Sequence, residues 1–332
     1  MPDTATDMGA LLASAGWAGA SVTPLAGDAS SRRYFRAIIA DKSSVIMDCS
    51  SQPSATMDSF VTLARALHSF GYSAPEILAA DRDVGLMLIE DLGDDLLPRV
   101  IARAPGTEAP LYRLAAAFLA DLHRQVPPAN LAPIPPETFA HMPALALSYY
   151  RTGSPEADPD LEAELAGHLN TALAALPQRD AVIVLRDFHA ENLIDLPGRD
   201  GLRRLGLLDF QDAFLGHPAY DLASLLQDAR RDLSPGIAAE TAAYFAELKG
   251  WCGEETDLAL ATLGTQRNLR ILGVFARLAI DAGKPKYLDL IPRVWGHVEA
   301  NLSHPALGAL RSFVETVLPR PTDGHLNRLR PS

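Results

Sequence analysis

Cysteine is nearly absent from this sequence: Cys49 and Cys252 stand far apart and outside any CxxC spacing, so neither a disulfide framework nor a zinc site is expected. No run of about 20 apolar residues occurs, so a membrane-spanning helix is excluded. The opening MPDTATDMGA has neither a basic flank nor a long apolar core, so no secretory signal is expected. Basic charge is also scarce. Against 41 Asp and Glu stand 29 Lys and Arg, a net charge of −12, with no long basic run to follow a phosphate backbone. Nucleic acid and anionic membranes are therefore not expected partners, no obligate protein partner is evident, and a reducing cytoplasm is the expected location. An anionic ligand has to meet a local cluster of cations, and SSRRYFR at 30–36 is the densest early one.

What is present is the balance of a globular protein, 48% hydrophobic and 21% charged over 332 residues, enough for one large domain or two unequal ones. The first ninety residues alternate. SVTPLAG (21–27), RRYFRAIIA (32–40) and SSVIMDC (43–49) are short, rich in β-branched and aromatic residues, and separated by turn residues, which predicts a three-stranded antiparallel meander. MDSFVTLARALHSFGY spaces Phe60, Leu63, Leu67 and Phe70 as a helix and stops at Gly71. APEILAAD and GLMLIEDL add two strands, giving the order β-β-β-α-β-β. After DLGDD the pattern becomes helical, with PLYRLAAAFLADLHRQ (110–125), DLEAELAGHLNTALAAL (160–176) and several helices between 221 and 317. The Pro-rich VPPANLAPIPPETF between the first two predicts a surface loop. One β island interrupts the helices: VIVLRDFH, ENLIDLPGRDG and LRRLGLLDF predict a strand, a turn and a hairpin.

Two apolar runs in that island end on acids: AVIVLRDFHAENLI (181–194) delivers Asp187 and, five residues on, Asn192, and GLLDFQDA (206–213) delivers Asp209. Asp and Asn are ordinary turn formers. The set is nonetheless what phosphoryl transfer from ATP requires: one carboxylate to take the acceptor proton, and an Asn and a second Asp to hold Mg²⁺ against the phosphates.

GDASSRRYFR, VIMD, LIEDLGDD, RDFHAENL, GLLDFQDAFLGHPAYDLASLLQDAR and QRNLRILGVFARL together resemble the aminoglycoside phosphotransferase and choline kinase branch of the protein-kinase-like fold. Within it they are most similar to bacterial anomeric N-acetylmuramate/N-acetylglucosamine kinases of cell-wall recycling. The resemblance implies an α+β, two-lobe protein: a small antiparallel sheet plus one helix at 1–92, where the nucleotide binds, and a larger helical lobe with the β-hairpin island at 93–332, which carries catalysis and the acceptor. It implies Asp187 as base, Asn192 and Asp209 as magnesium ligands, Glu90, Asp91 and Leu92 as the hinge at the adenine, ATP and Mg²⁺ as cofactors, and Asp221 as the brace of the catalytic loop. Asp221 also reads simply as a first-turn helix carboxylate.

The sequence departs from that pattern twice. Leu185 stands where such loops carry His two residues before the base, and Met47 where the third strand supplies a Lys to the phosphates, with Lys42 expected to face solvent. The opening turn of GDASSRRYFR has one Gly and is a poor phosphate loop. Its arginines are the expected substitutes. On an extended strand Arg32, Tyr34 and Arg36 share one face and Arg33 and Phe35 the other, and Arg33 is taken as the phosphate clamp with Arg32 the alternative. Around the acceptor, Gln211, Asp212 and a helix face with Gln227, Asp228 and Arg230 are the expected polar groups. Arg270 and Arg277, seven residues apart, are further candidates for an acceptor carboxylate. His189 is either a substrate contact or a loop histidine, and His123 is expected to be a satisfied structural histidine. Other acceptors remain open, an aminoglycoside or an amino alcohol. So does a different class, a nucleotide-binding pseudokinase, although a scaffold has no need of Asp187, Asn192 and Asp209 together.

Overall fold

The computed structural model describes residues 4–25, 32–51 and 54–330. In chain order the elements are α1 (Thr4–Ser14), β1 (Ser21–Leu25), β2 (Arg33–Ile39), β3 (Lys42–Asp48), α2 (Ser54–Ser69), β4 (Ile77–Asp81), β5 (Leu86–Glu90), α3 (Leu97–Arg103), α4 (Glu108–Leu122), α5 (Pro136–His141), α6 (Pro159–Ala174), β6 (Val182–Val184), β7 (Leu193–Asp195), β8 (Leu205–Leu207), β9 (Phe214–Gly216), α7 (Tyr220–Leu226), α8 (Ile237–Lys249), α9 (Gly253–Ile280), α10 (Ile291–Leu302), α11 (Gly308–Val317) and α12 (Asp323–Arg328). They form two compact units. The first comprises residues 1–118, 128–130 and 190–213, and the second 119–127, 131–189 and 214–332.

The first unit holds the expected antiparallel sheet, in the order β1-β2-β3-β5-β4, and the β-β-β-α-β-β succession is as the sequence predicts. Helix α2 ends at Ser69, and Gly71 follows with φ +85°, a left-handed conformation that glycine adopts without steric cost. Helix α1 was not anticipated. Met8, Leu11 and Leu12 are buried with Ala37, Ile46, Leu86 and Leu88, and their i, i+3, i+4 spacing was a readable signal. The turn at 27–31, the expected poor phosphate loop, lies outside the described residues.

The second unit is mainly helical, as predicted, around a core of Tyr150, Leu169, Leu272, Phe275, Tyr287 and Trp295. At Gly273 on α9 an added Cβ would lie 2.3 Å from the carbonyl carbon of Leu145. Glycine alone lets the single π-turn Ala146–Tyr150 approach α9 this closely. The Pro-rich segment is less of a loop than expected, because its last residues enter α5 and Ala132 O accepts from Leu215 N at 3.1 Å. The β island also differs: it is two separate two-stranded sheets. Strand β7 pairs with β8 in the first unit, whereas β6 pairs with β9, Val184 opposite Phe214, in the second. Phe214–Gly216 was not read as a strand because three residues are too few to show a period.

Candidate active site

In the second unit, β6 is a fully buried three-residue strand. On its partner strand β9, Gly216 leaves room for the Phe214 ring of the same strand, from which a Cβ would fall 2.6 Å, and for Val184 of β6, from which it would fall 3.2 Å. Just beyond β6, Arg186 takes φ +74°, a strained conformation for a long side chain. The fully buried Asp221, in the first turn of α7, holds it. One carboxylate oxygen accepts from Leu185 N at 2.6 Å and the other from Arg186 N at 2.9 Å. Burial outweighs these two donors and pushes the Asp221 carboxyl up to about 7. Two tight turns follow, with Asp187 N donating to Leu185 O at 2.9 Å and His189 N to Asp187 O at 3.1 Å. At Leu185, where the kinase pattern has His, the loop is thus fixed through its backbone.

Around Asp187 in the same unit, Arg186, Asp187, Arg267 and Arg270 all act electrostatically on the buried Tyr220 hydroxyl. Burial, reinforced by repulsion from Arg186, pulls the Arg270 guanidinium down from its ordinary value. His189 is buried, 3.4 Å from Arg230 Nη1, and buried Asp228 accepts from Arg230 N at 2.8 Å. The expected helix face at 227–230 does not exist, because α7 stops at Leu226. Gln227, rather than facing an acceptor, closes an amide network with Asn268 at 2.6 Å and Asn301 at 2.9 Å. Arg277 is exposed on α9. His123 departs from expectation. Both of its ring nitrogens are buried without a hydrogen-bond partner among the described residues, its ring stands edge-on to Phe245, and burial pushes it down to about 3.

In the first unit, hairpin β7–β8 sets the other residues. Leu208 N donates to Asn192 O at 2.9 Å, so Asn192 and the residue preceding Asp209 are tied through the backbone. Asp209 has φ +56°, which Asp tolerates better than most residues. The next residue, Phe210, is buried and stacks on Phe60 of α2 at 4.9 Å. Buried Arg32 donates from Nη2 to Asp209 Oδ1 at 2.8 Å, and Gln211 Nε2 donates to the same oxygen at 2.9 Å. Tyr34, two residues along on the Arg32 face, is pushed up to about 12, mainly by burial. Arg33 points elsewhere, to Asp48 directly across β3 at 2.6 Å, with its side chain 58% exposed. Met47 is buried and Lys42 exposed. Asp212 is exposed. At the expected hinge, Glu90 pairs with Arg199, Asp91 with Arg36 at 2.7 Å, and Leu92 is buried.

No three His, Cys, Asp or Glu side chains among the described residues cluster as a metal site. The donors that are there, the Asn192 amide and an Asp209 side chain 37% exposed whose hydrogen bonds all go to Oδ1, are hard oxygens. They fit Mg²⁺, which takes few protein ligands and completes its shell with phosphate and water. The sequence missed the strained Arg186 and the tie between Arg32 and Asp209, which joins residues 177 positions apart. It also passed over Arg267, though its place three residues before Arg270 was a signal for one helix face.

An antiparallel five-stranded sheet with one helix, followed by a mainly helical unit, is the fold of the phosphoryl-transferring class of enzymes. The sequence profile of the phosphotransferase enzyme family matches residues 21–254, and the chain belongs to that family. It is 39% identical over 277 residues to an N-acetylmuramate/N-acetylglucosamine kinase of Caulobacter vibrioides, covering 79% of this chain and 75% of that one. A protein of the same name from Pseudomonas aeruginosa is 30% identical over 310 residues, 90% of this chain and 89% of the other. The fold is also that of a choline/ethanolamine kinase family protein of Mesorhizobium loti, with a TM-score of 0.63 at 21% identity over 93% of this chain and 99% of that one.

Proposed function

We propose that this phosphotransferase moves the γ-phosphoryl group of ATP to the anomeric hydroxyl of N-acetylmuramate or N-acetylglucosamine. What supports this reading above all is that curated relatives from several bacteria, the first at 39% identity over most of the chain, are named N-acetylmuramate/N-acetylglucosamine kinase. The residues agree with it chemically. Asp187 accepts the proton of the acceptor hydroxyl as that oxygen bonds to the γ-phosphorus and the bond to the β-phosphate oxygen breaks, releasing ADP. Asn192 and Asp209 would hold Mg²⁺, which would supply positive charge against the phosphates. Arg32 orients Asp209 and adds the positive charge that Met47 cannot supply, and Glu90-Asp91-Leu92 meet adenine through backbone groups, with residues 1–92 as the nucleotide lobe and 93–332 as the catalytic lobe. Asp221 and the backbone turns it holds keep Asp187 in place.

The test is ADP release from purified protein with Mg-ATP and a panel of amino sugars, amino alcohols and aminoglycosides. Turnover is expected on N-acetylmuramate or N-acetylglucosamine and lost in Asp187→Asn. Faster turnover on an aminoglycoside or amino alcohol would reassign the acceptor, and no turnover on any compound would favour a non-catalytic nucleotide binder.

A further inference from the structure

Two arginines of α9 lack what nearly every buried cation has. Arg267 is 5% exposed and Arg270 half-buried, and three residues of helix put them on one face. Among the described residues neither side chain makes a hydrogen bond or an ion pair, and Nη1 of Arg267 is sealed from solvent without an acceptor. A buried guanidinium without a partner is costly, and the chain has acids in surplus with which to pair it. The charged and titratable groups that act on these two from the packed elements are Arg186 and Asp187 on the loop after β6, Tyr220 and Asp221 on α7, and His297 on α10. Arg186, Arg267 and Arg270 therefore share one electrostatic neighbourhood with Tyr220 and the candidate base Asp187.

We propose that Arg267 and Arg270, with Arg186, form an anion subsite that takes the lactyl carboxylate of N-acetylmuramate, a group that N-acetylglucosamine lacks. The proposal rests on the reading of function above. A guanidinium fork matches a carboxylate in two parallel hydrogen bonds. The acceptor is the anion to expect because these arginines share the field of Asp187, the group that takes the acceptor's proton, whereas the first unit already sets Arg32 beside Asp209. With the neutral sugar Arg267 and Arg270 stay uncompensated, which is how a site discriminates by leaving a charge unmet.

The experiment measures kcat and KM for both sugars and for ATP in the wild type, Arg270→Gln and Arg267→Gln. The ratio of kcat/KM for N-acetylmuramate over that for N-acetylglucosamine is expected to fall at least tenfold, mainly through KM for N-acetylmuramate, with KM for ATP within twofold. Equal losses on both sugars, or a parallel rise in KM for ATP, would overturn the subsite and assign the cluster to the phosphates or to Asp187. Arg267→Gln is buried and can misfold, so half-buried Arg270→Gln decides the matter if it does. Should the wild type turn over neither sugar, the kinase reading fails separately. Calorimetric titration with N-acetylmuramate then tests the subsite alone, and absent binding, or equal binding by wild type and Arg270→Gln, rejects it.

Discussion

The two units differ in what their buried arginines meet. In the first unit Arg32, Arg33, Arg36, Arg103, Arg199 and Arg204 each end on a carboxylate. These pairs fix strands and loops to one another, and Arg32–Asp209 does so at a candidate magnesium ligand. In the second unit Arg293 and Arg311 at the periphery are paired in the same manner, but Arg267 and Arg270 on α9 are not. The difference separates two uses of one residue type. A paired guanidinium holds the protein's own geometry, while an uncompensated one is a standing capacity for an external anion.

The largest expected effect falls on the unmatched side. Asp187→Asn should lower kcat by about a hundredfold or more, the scale of a lost general base, with KM for ATP little changed, and a mild loss would remove Asp187 from that role. Next, Arg32→Gln should raise KM for ATP about tenfold by releasing Asp209, whereas Arg33→Gln, at a 58% exposed side chain that ends on buried Asp48, should change it less than twofold. Similar effects from the two would break the comparison, because an arginine's partner would then not predict its function. Asp221→Asn replaces one of the two oxygens that accept from backbone N–H groups with an amide NH2. It should lower kcat severalfold and cost about 2 kcal/mol, near 4 °C in Tm, as read by steady-state kinetics and a melting curve.

The smallest effect concerns His123, pushed down to about 3, and His217, pushed down to about 4, both mainly by burial. Their folded values lie below the unfolded value of about 6.5. The unfolded chain thus binds more protons between these limits, and stability present above pH 6.5 is lost as pH falls. His123→Leu should lose about 2 kcal/mol less than wild type between pH 7 and pH 5, measured by urea midpoints at both pH values. Parallel losses would show that this histidine is not buried neutral.

Strand and helix order was legible because hydrophobic period reports local burial, and the acids of LRDFHAEN and LLDF were legible because they end apolar strands. That Arg32 meets Asp209 while Arg33 does not was half legible. Alternation along β2 separated the two arginines onto opposite faces, but which face turns inward depends on Asp209, far away in the chain. The loss of the helix face at 227–230 has a similar cause. Gln227 is drawn into side-chain bonds with Asn268 and Asn301, and a local window sees neither.

Residues 190–213 belong to the first unit although the second begins before them. Ser73 donates to Arg203 O across 130 positions, and Leu96 bridges Ile194. Closing such long loops is slow compared with forming local turns. During synthesis the sheet at 21–90 can form early, yet Asn192 and Asp209 join it only after more than a hundred further residues have left the ribosome. Any nucleotide site that uses them is completed late in translation, so a truncated chain ending before β7 would carry the sheet without its candidate metal ligands.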